Sequence, residues 1–187
     1  PYTYKRFWFR DAALIINAML CLGIQHRSER VLDQFLLRQD LDGYFRSQEG
    51  EWDSNGEVLW IYKRYRDLTG KDIKPDWRSP IRRGARWISR KRLSDDIEEL
   101  HAGLLPAGFS AEHLGNNDFY YWDDYWALAG LDAAAELCNS WGNDMEADRY
   151  RDEARKMRDA IERSLERSQH IRNIDALPAS PHRRMDA

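Results

Sequence analysis

Residues 7–24 read FWFRDAALIINAMLCLGI, an Arg-Asp pair followed by a run from Ala12 to Ile24 that carries no charge. A helix on a protein surface shows one apolar stripe and a polar back. This segment has no polar back, so it predicts a helix buried on several sides with Arg10 and Asp11 at its first turn. Residues 125–142 repeat the pattern, with Asp132 and Glu136 as their only charges. Residues 144–167 are the opposite: 15 of the 24 are charged, and Met145, Tyr150, Ala154, Met157, Ile161 and Leu165 form a single stripe. That helix has one wet face.

Hydrophobic periodicity predicts six helices, over 10–24, 28–38, 55–69, 76–93, 119–141 and 144–167. Gly23, Gly70 and Gly142 stand where helix C-termini favour positive φ, and Ser28, Asn55 and Asp118 are candidate N-caps. The second helix (Val31, Leu32, Phe35, Leu36) and the fourth (Trp77, Ile81, Ala85, Ile88) are one-sided; the third is apolar from Val58 to Tyr62 and then charged. Arg82, Arg83, Arg86, Arg90, Lys91 and Arg92 read as an outer, solvated face of the fourth. Odd helices thus read as inner and even helices as outer. An up-and-down bundle would give every helix a similar stripe, whereas a double-walled ring of hairpins gives this alternation. The expectation is an all-α chain, an α/α toroid with about three helical hairpins present over 1–167, and a disordered or poorly packed tail over 168–187. Connections within each pair are short; between pairs they run over 39–54 and 94–118, lengths that in a compact domain are usually functional. Each enters an odd helix at its N-terminus, so the unusual segments converge on one end of the ring.

Composition excludes several classes. With 29 Lys and Arg against 32 Asp and Glu, no polyanion-binding surface is implied, and nucleic acid is not an expected partner. No stretch reaches the roughly 18 apolar residues of a membrane span and no signal-like segment precedes the fold, so a cytoplasmic protein without membrane association is expected. Cys21 and Cys138 sit in apolar helical stretches without metal-ligand or disulfide spacing and read as core thiols. No metal or other cofactor is expected. Eight Trp, nine Tyr and six Phe, several beside acidic residues, suit a planar polar ligand such as a sugar.

Three segments supply the chemistry: FWFRDA (7–12), GYFRSQEGEWDSNGE (43–57) and HAGLLPAGFSAEHLGNNDFYYWDDYW (101–126). Each sets aromatics and carboxylates just ahead of a helix N-terminus. Helix N-termini stabilise carboxylates by roughly 0.3–1 kcal/mol, so one reading is that the acids serve the dipole alone. The other is glycoside chemistry, in which one carboxylic acid protonates the leaving oxygen while a second assists water or attacks C1. Sugars are held by Trp and Tyr faces and by bidentate hydrogen bonds that vicinal hydroxyls donate to Asp and Glu and accept from Arg.

FWFRDAALI resembles the start of an inner helix in glucoamylases and related six-hairpin glycosidases, where Trp-x-Arg-Asp precedes small and aliphatic residues; Trp8, Arg10 and Asp11 match it. EWDSNGEVLW resembles the next inner-helix entry of that clan through Asp53 and Gly56. YYWDDYWALAGL resembles the third, a Trp followed by two acidic residues of which the first is the general acid. The resemblance therefore implies that Asp123 is the acid and that Arg10 and Asp11 grip a terminal sugar. Where glucoamylases carry Glu-Glu this chain has Asp-Asp, as in the trehalase and processing α-glucosidase branches. The loop ahead of it is most similar to glycogen-debranching-type members.

Alternatives stay open at several positions. Asp124 is the alternative acid, and since one helical residue turns a side chain by about 100°, only one of the pair is expected to point inward. Glu112 reads as a substrate ligand or a solvated loop residue; Trp52, Tyr121 and Trp122 as sugar platforms or core. Glu49 and Glu51 are expected to divide, one inward and one in water, and His101 and His113 to be polar loop residues. The implied function is a glycoside hydrolase, or a fragment of one whose general base lies outside the chain, acting on an oligo- or polysaccharide. A catalytically inactive sugar-binding or interaction module is the rival, and a terpene-cyclase-like α-toroid, echoed weakly in RQDLDGYF (38–45), a second one. Three hairpins leave two apolar edges open, so the missing half of the ring or a second copy is an expected partner, and Pro1 standing directly before the motif suggests an excised piece.

Overall fold

The computed structural model describes residues 6–109 and 117–182. They form α1 (Phe9–Cys21), α2 (Gln25–Phe35) with a 3-10 turn over Leu36–Arg38, α3 (Ser54–Thr69), α4 (Pro75–Lys91), α5 (Tyr121–Ser140) and α6 (Asp144–Arg172), with no strand among the described residues. The chain is all-helical. Gly23, Gly70 and Gly142 follow three of the helices at φ +76°, +67° and +77°, as their positions predict. The expected N-caps differ. Ser28 lies inside α2 and its hydroxyl donates back to the Ile24 carbonyl at 2.9 Å. Asn143, at the start of α6, is the residue whose side chain accepts a capping bond, from the Glu146 amide.

The helices pack in two rows. α3 lies between α1 and α5; α2 covers α1 and reaches α3, α4 covers α3 and α5, and α6 covers α5. The odd helices run parallel, since Arg10 meets Asp53 at one end while Arg64 bonds Asn17 further along at 3.0 Å, and Lys63 meets Glu136 at 3.2 Å. The N-termini of α1, α3 and α5 therefore share one end of the inner row. Two glycines let the row close up there: a Cβ on Gly56 would stand 2.0 Å from the Trp126 carbonyl oxygen, and one on Gly130 would stand 2.6 Å from the Gly56 Cα. Backbone touches backbone at that crossing.

The 39–53 connection is pinned from beneath. Asn55, fully buried, accepts from the Phe45 amide at 2.8 Å and donates to the Gly43 and Gly84 carbonyls at 3.0 Å each. Stripped of these partners, the buried amide and carbonyls would each cost about 1–3 kcal/mol. Asn55→Ala is expected to lower stability by about 2–3 kcal/mol in urea unfolding; a change below about 0.5 kcal/mol would show the pin to be dispensable.

Four expectations are corrected. α1 is not enclosed: Leu14, Ile15 and Leu22 are 47%, 60% and 76% exposed, because among the described helices only α2 and α3 flank it. Cys21 falls on that open side and is exposed, whereas Cys138 is buried. The basic run of α4 is not uniformly solvated: Arg82 and Arg86 pair with Glu146 at 3.3 and 2.8 Å, and the Arg92 side chain is only 6% exposed, donating to the Gly103 carbonyl. The segment from Ser168 is not an unpacked tail as far as residue 182: α6 continues to Arg172, the Ala179 carbonyl accepts from the Tyr121 amide at 3.1 Å, and Ser180, fully buried, donates to Asp118 at 2.9 Å.

Candidate functional site

At the shared end of the inner row, four carboxyl side chains gather about one cation. Arg10, in the first turn of α1, places Nη1 3.1 Å from Asp53 Oδ2 and 3.9 Å from Glu51 Oε2. Trp122, in the first turn of α5, donates its indole N–H to the same Asp53 oxygen at 2.9 Å. Glu57 lies one turn beyond Asp53 on α3, at the i,i+4 spacing that puts both on one face, close enough for the two carboxyls to repel. Asp123 completes the group, held by the backbone of Trp52. Glu51, Asp53, Glu57 and Asp123 are each at most 2% exposed.

None of these acids caps a helix with its side chain, although Asp53 stands at the N-cap of α3. The N-cap positions of α1, α3 and α5 make no side-chain capping bond. Asp53 turns its side chain to Arg10 and Trp122 instead, and the dipole is a secondary benefit.

Four carboxylates and one guanidinium cannot all be charged in a buried space at acceptable cost. Neither oxygen of Glu51 or Glu57 receives a hydrogen bond. Burial, reinforced by Asp53, pushes Glu51 up to about 7 and holds Glu57 well above the carboxylate range. Burial, with Asp53, Asp124 and Glu51 adding to it, likewise holds Asp123 well above the usual Asp value. Arg10 goes the other way: burial works to discharge it, but Asp53, Glu51 and Glu57 together raise its pKa and keep it a cation. The cluster is a proton-sharing group around one fixed positive charge.

The other expected residues are divided. Trp8 is half-buried, with the Arg10 guanidinium 5.7 Å from its ring centre. Asp11 is exposed at the mouth. Asp124 is buried like Asp123 but on the other side, where its carboxylate accepts from the Leu105 amide at 2.8 Å. The expectation that only one of the pair turns inward is corrected to two burials in two places. Trp52 is packed into the core: its indole donates to the Pro106 carbonyl at 3.0 Å, its ring lies against Tyr44 and Trp87, and Lys91 stands 3.8 Å from its centre. Tyr121 is buried and bonds Ser164 on α6 at 2.7 Å. Glu49 is in water and Glu51 inward. His101 stacks on Phe119 and shares a 2.9 Å hydrogen bond with His182. Glu112 and His113 lie outside the described residues.

Two members were missed as site residues in the sequence. Glu57 carried a usable signal, its i,i+4 relation to Asp53; Glu51 carried only its place beside Trp52. Trp122 and Tyr125, 41% and 40% exposed, supply the aromatic surface next to the cluster, where Trp122, Tyr125, Trp126 and Ala129 line a shallow cavity of about 350 Å³. Among the described residues no group of His, Cys, Asp and Glu is arranged to hold a metal ion, and no helix is long and apolar enough to cross a membrane.

The perturbed acids fix a pH dependence. Glu51 and Asp124, both pushed up to about 7, hold protons in the folded chain that the unfolded chain has released. Stability therefore falls as pH rises from about 4.5 to about 7. Glu29 acts oppositely: hydrogen bonds from Lys74 and Tyr65 lower it to about 2, so its contribution is lost as pH falls below about 4.5. The melting temperature is expected to peak near pH 4.5–5, with Glu51→Gln reducing the decline toward pH 7.5; a melting temperature that climbs over this range would contradict the proton-sharing cluster.

No family model, no curated protein and no solved structure matches the chain.

Proposed function

We propose that the chain is the carbohydrate-binding and acid-bearing part of a glycoside hydrolase of the six-hairpin kind. The observation that carries this reading is the meeting of Arg10, Asp53, Trp122 and Asp123, drawn from the first turns or N-caps of three parallel helices, with an exposed tryptophan face beside buried acids. A general acid must carry a proton near neutral pH, which for a carboxyl requires a burial-raised pKa. The upward shift that burial gives Asp123 supports that role. Arg10 would donate hydrogen bonds to vicinal hydroxyls and Asp53 would accept from them, and Trp122 would stack on the sugar ring. The exposed apolar side of α1 and the aromatic side of α5 support a row that continues into further hairpins, closing a ring and bringing the base.

One observation favours a second reading, a non-catalytic sugar-binding or interaction module: all four acids lie beneath Arg10 and Trp122, out of contact with solvent. Hydrolysis separates the two. In the full polypeptide, Asp123→Asn is expected to abolish cleavage of a glucoside with a poor leaving group, a loss of about 10²–10⁴-fold or more, while sparing glucosyl fluoride, which needs no protonation. The same pattern from Asp124→Asn would move the acid to the neighbouring residue, and no hydrolysis by the unaltered polypeptide would favour the binding module.

A further inference from the structure

The outer helices follow one packing rule. α2 lies over the junction of the next hairpin, where Tyr62 donates to the Leu32 carbonyl at 3.1 Å and Lys74 pairs with Glu29 at 2.8 Å and Asp33 at 2.9 Å. α4 lies over the following junction in the same way: Tyr150 donates to the Arg82 carbonyl at 3.1 Å, and Arg82 and Arg86 pair with Glu146. In each, an outer helix seats against the next hairpin and an ion pair crosses the seam, once acid to base and once base to acid.

The first hairpin has a seam of this kind with nothing described in it. A groove of about 570 Å³ runs between α1 and α2, floored by Phe7, Met19 and Val31 and edged by Arg27, Arg30 and Arg38. The three arginines recur at i, i+3 and i+11 along α2 and its 3-10 extension, on the flank opposite Glu29 and Asp33. None of them makes an ion pair or side-chain hydrogen bond among the described residues, although Arg38 stacks 4.2 Å over Phe7. An apolar floor with one edge of unpaired guanidiniums calls for an occupant that is apolar on one face and acidic beside it.

We infer that the α1/α2 groove is a docking site for an amphipathic helix whose apolar stripe is flanked by carboxylates. The inference rests on packing and charge, independent of the sugar reading. The test uses two designed helical peptides, a leucine stripe flanked by glutamates and the same stripe flanked by lysines, with binding followed by fluorescence anisotropy. The glutamate peptide is expected to bind about tenfold tighter or more, with the preference reversed by Arg27→Glu combined with Arg30→Glu, both exposed positions that leave the fold intact. Equal binding of both peptides, binding of neither, or a glutamate preference untouched by the charge reversal would each overturn the assignment. Vesicles of anionic phospholipid serve as a third probe, and binding to them that matches the glutamate peptide and is lost in the same variant would make the groove a membrane-facing surface instead.

Discussion

Gly56→Ala is expected to destabilise the chain by about 3 kcal/mol or more, and Gly56→Val to prevent folding. The sign is informative, because helix propensity alone predicts the reverse: Gly56 stands in the first turn of α3, and replacing a helical glycine by alanine ordinarily gains up to about 0.5–1 kcal/mol. Here the added Cβ would lie 2.0 Å from the Trp126 carbonyl oxygen, 2.3 Å from its carbon and 2.8 Å from the Ala127 amide nitrogen, all of them backbone atoms that no rotamer change can move. α3 and α5 would have to separate along their whole contact, and Asp53 would draw away from Trp122 and Asp123. Gly23→Ala is the control, since a Cβ there meets nothing within 4 Å and only the positive φ resists. Its expected cost is about 1 kcal/mol. Urea unfolding of both variants decides the point, and a Gly56→Ala chain as stable as the parent would mean that the close crossing does not hold the site end together.

Arg10→Met is expected to cost about 3–5 kcal/mol at neutral pH, since taking one partner from a buried ionic group leaves the other charge uncompensated. The loss has a pH signature that simple loss of packing lacks. Without the guanidinium, Glu51 and Glu57 lose the positive charge that holds their pKa values down, so their protonated forms gain further and the destabilisation shrinks toward pH 5. Unfolding followed at pH 5 and pH 7.5 reads both numbers. A deficit of the same size at both values would make Arg10 a packing residue.

Much of this was legible in the sequence. The nearly charge-free run 125–142 and the one-sided stripe of residues 144–167 mark a buried helix and a half-wet one because burial leaves a compositional trace, and Gly23, Gly70 and Gly142 mark three helix ends through φ. What was not legible depended on neighbours. The exposure of Leu14, Ile15 and Cys21 follows from α1 standing at the end of its row, which no property of α1 announces. The core role of Trp52 depends on Tyr44, Trp87 and Lys91, brought from two other segments. The ordered segment 174–182 is held by Asp118 and Tyr121, more than fifty residues earlier in the chain. At the site, Arg10, Asp53, Trp122 and Asp123 could be named from motif order alone. Glu57 could be reached only through its i,i+4 spacing from Asp53, and Glu51 not at all, because only the fold turns both toward the same arginine.

The most direct measurement is calorimetric titration of the chain with a glucose-family oligosaccharide such as maltotriose. Binding is expected that is lost in Asp11→Ala, an exposed position whose variant unfolds at the temperature of the parent, and in Trp122→Ala, whose unfolding temperature falls with the loss of the indole bond to Asp53. No binding of any such glycan, or binding that survives both substitutions, would contradict a sugar site at the joined N-termini of α1, α3 and α5.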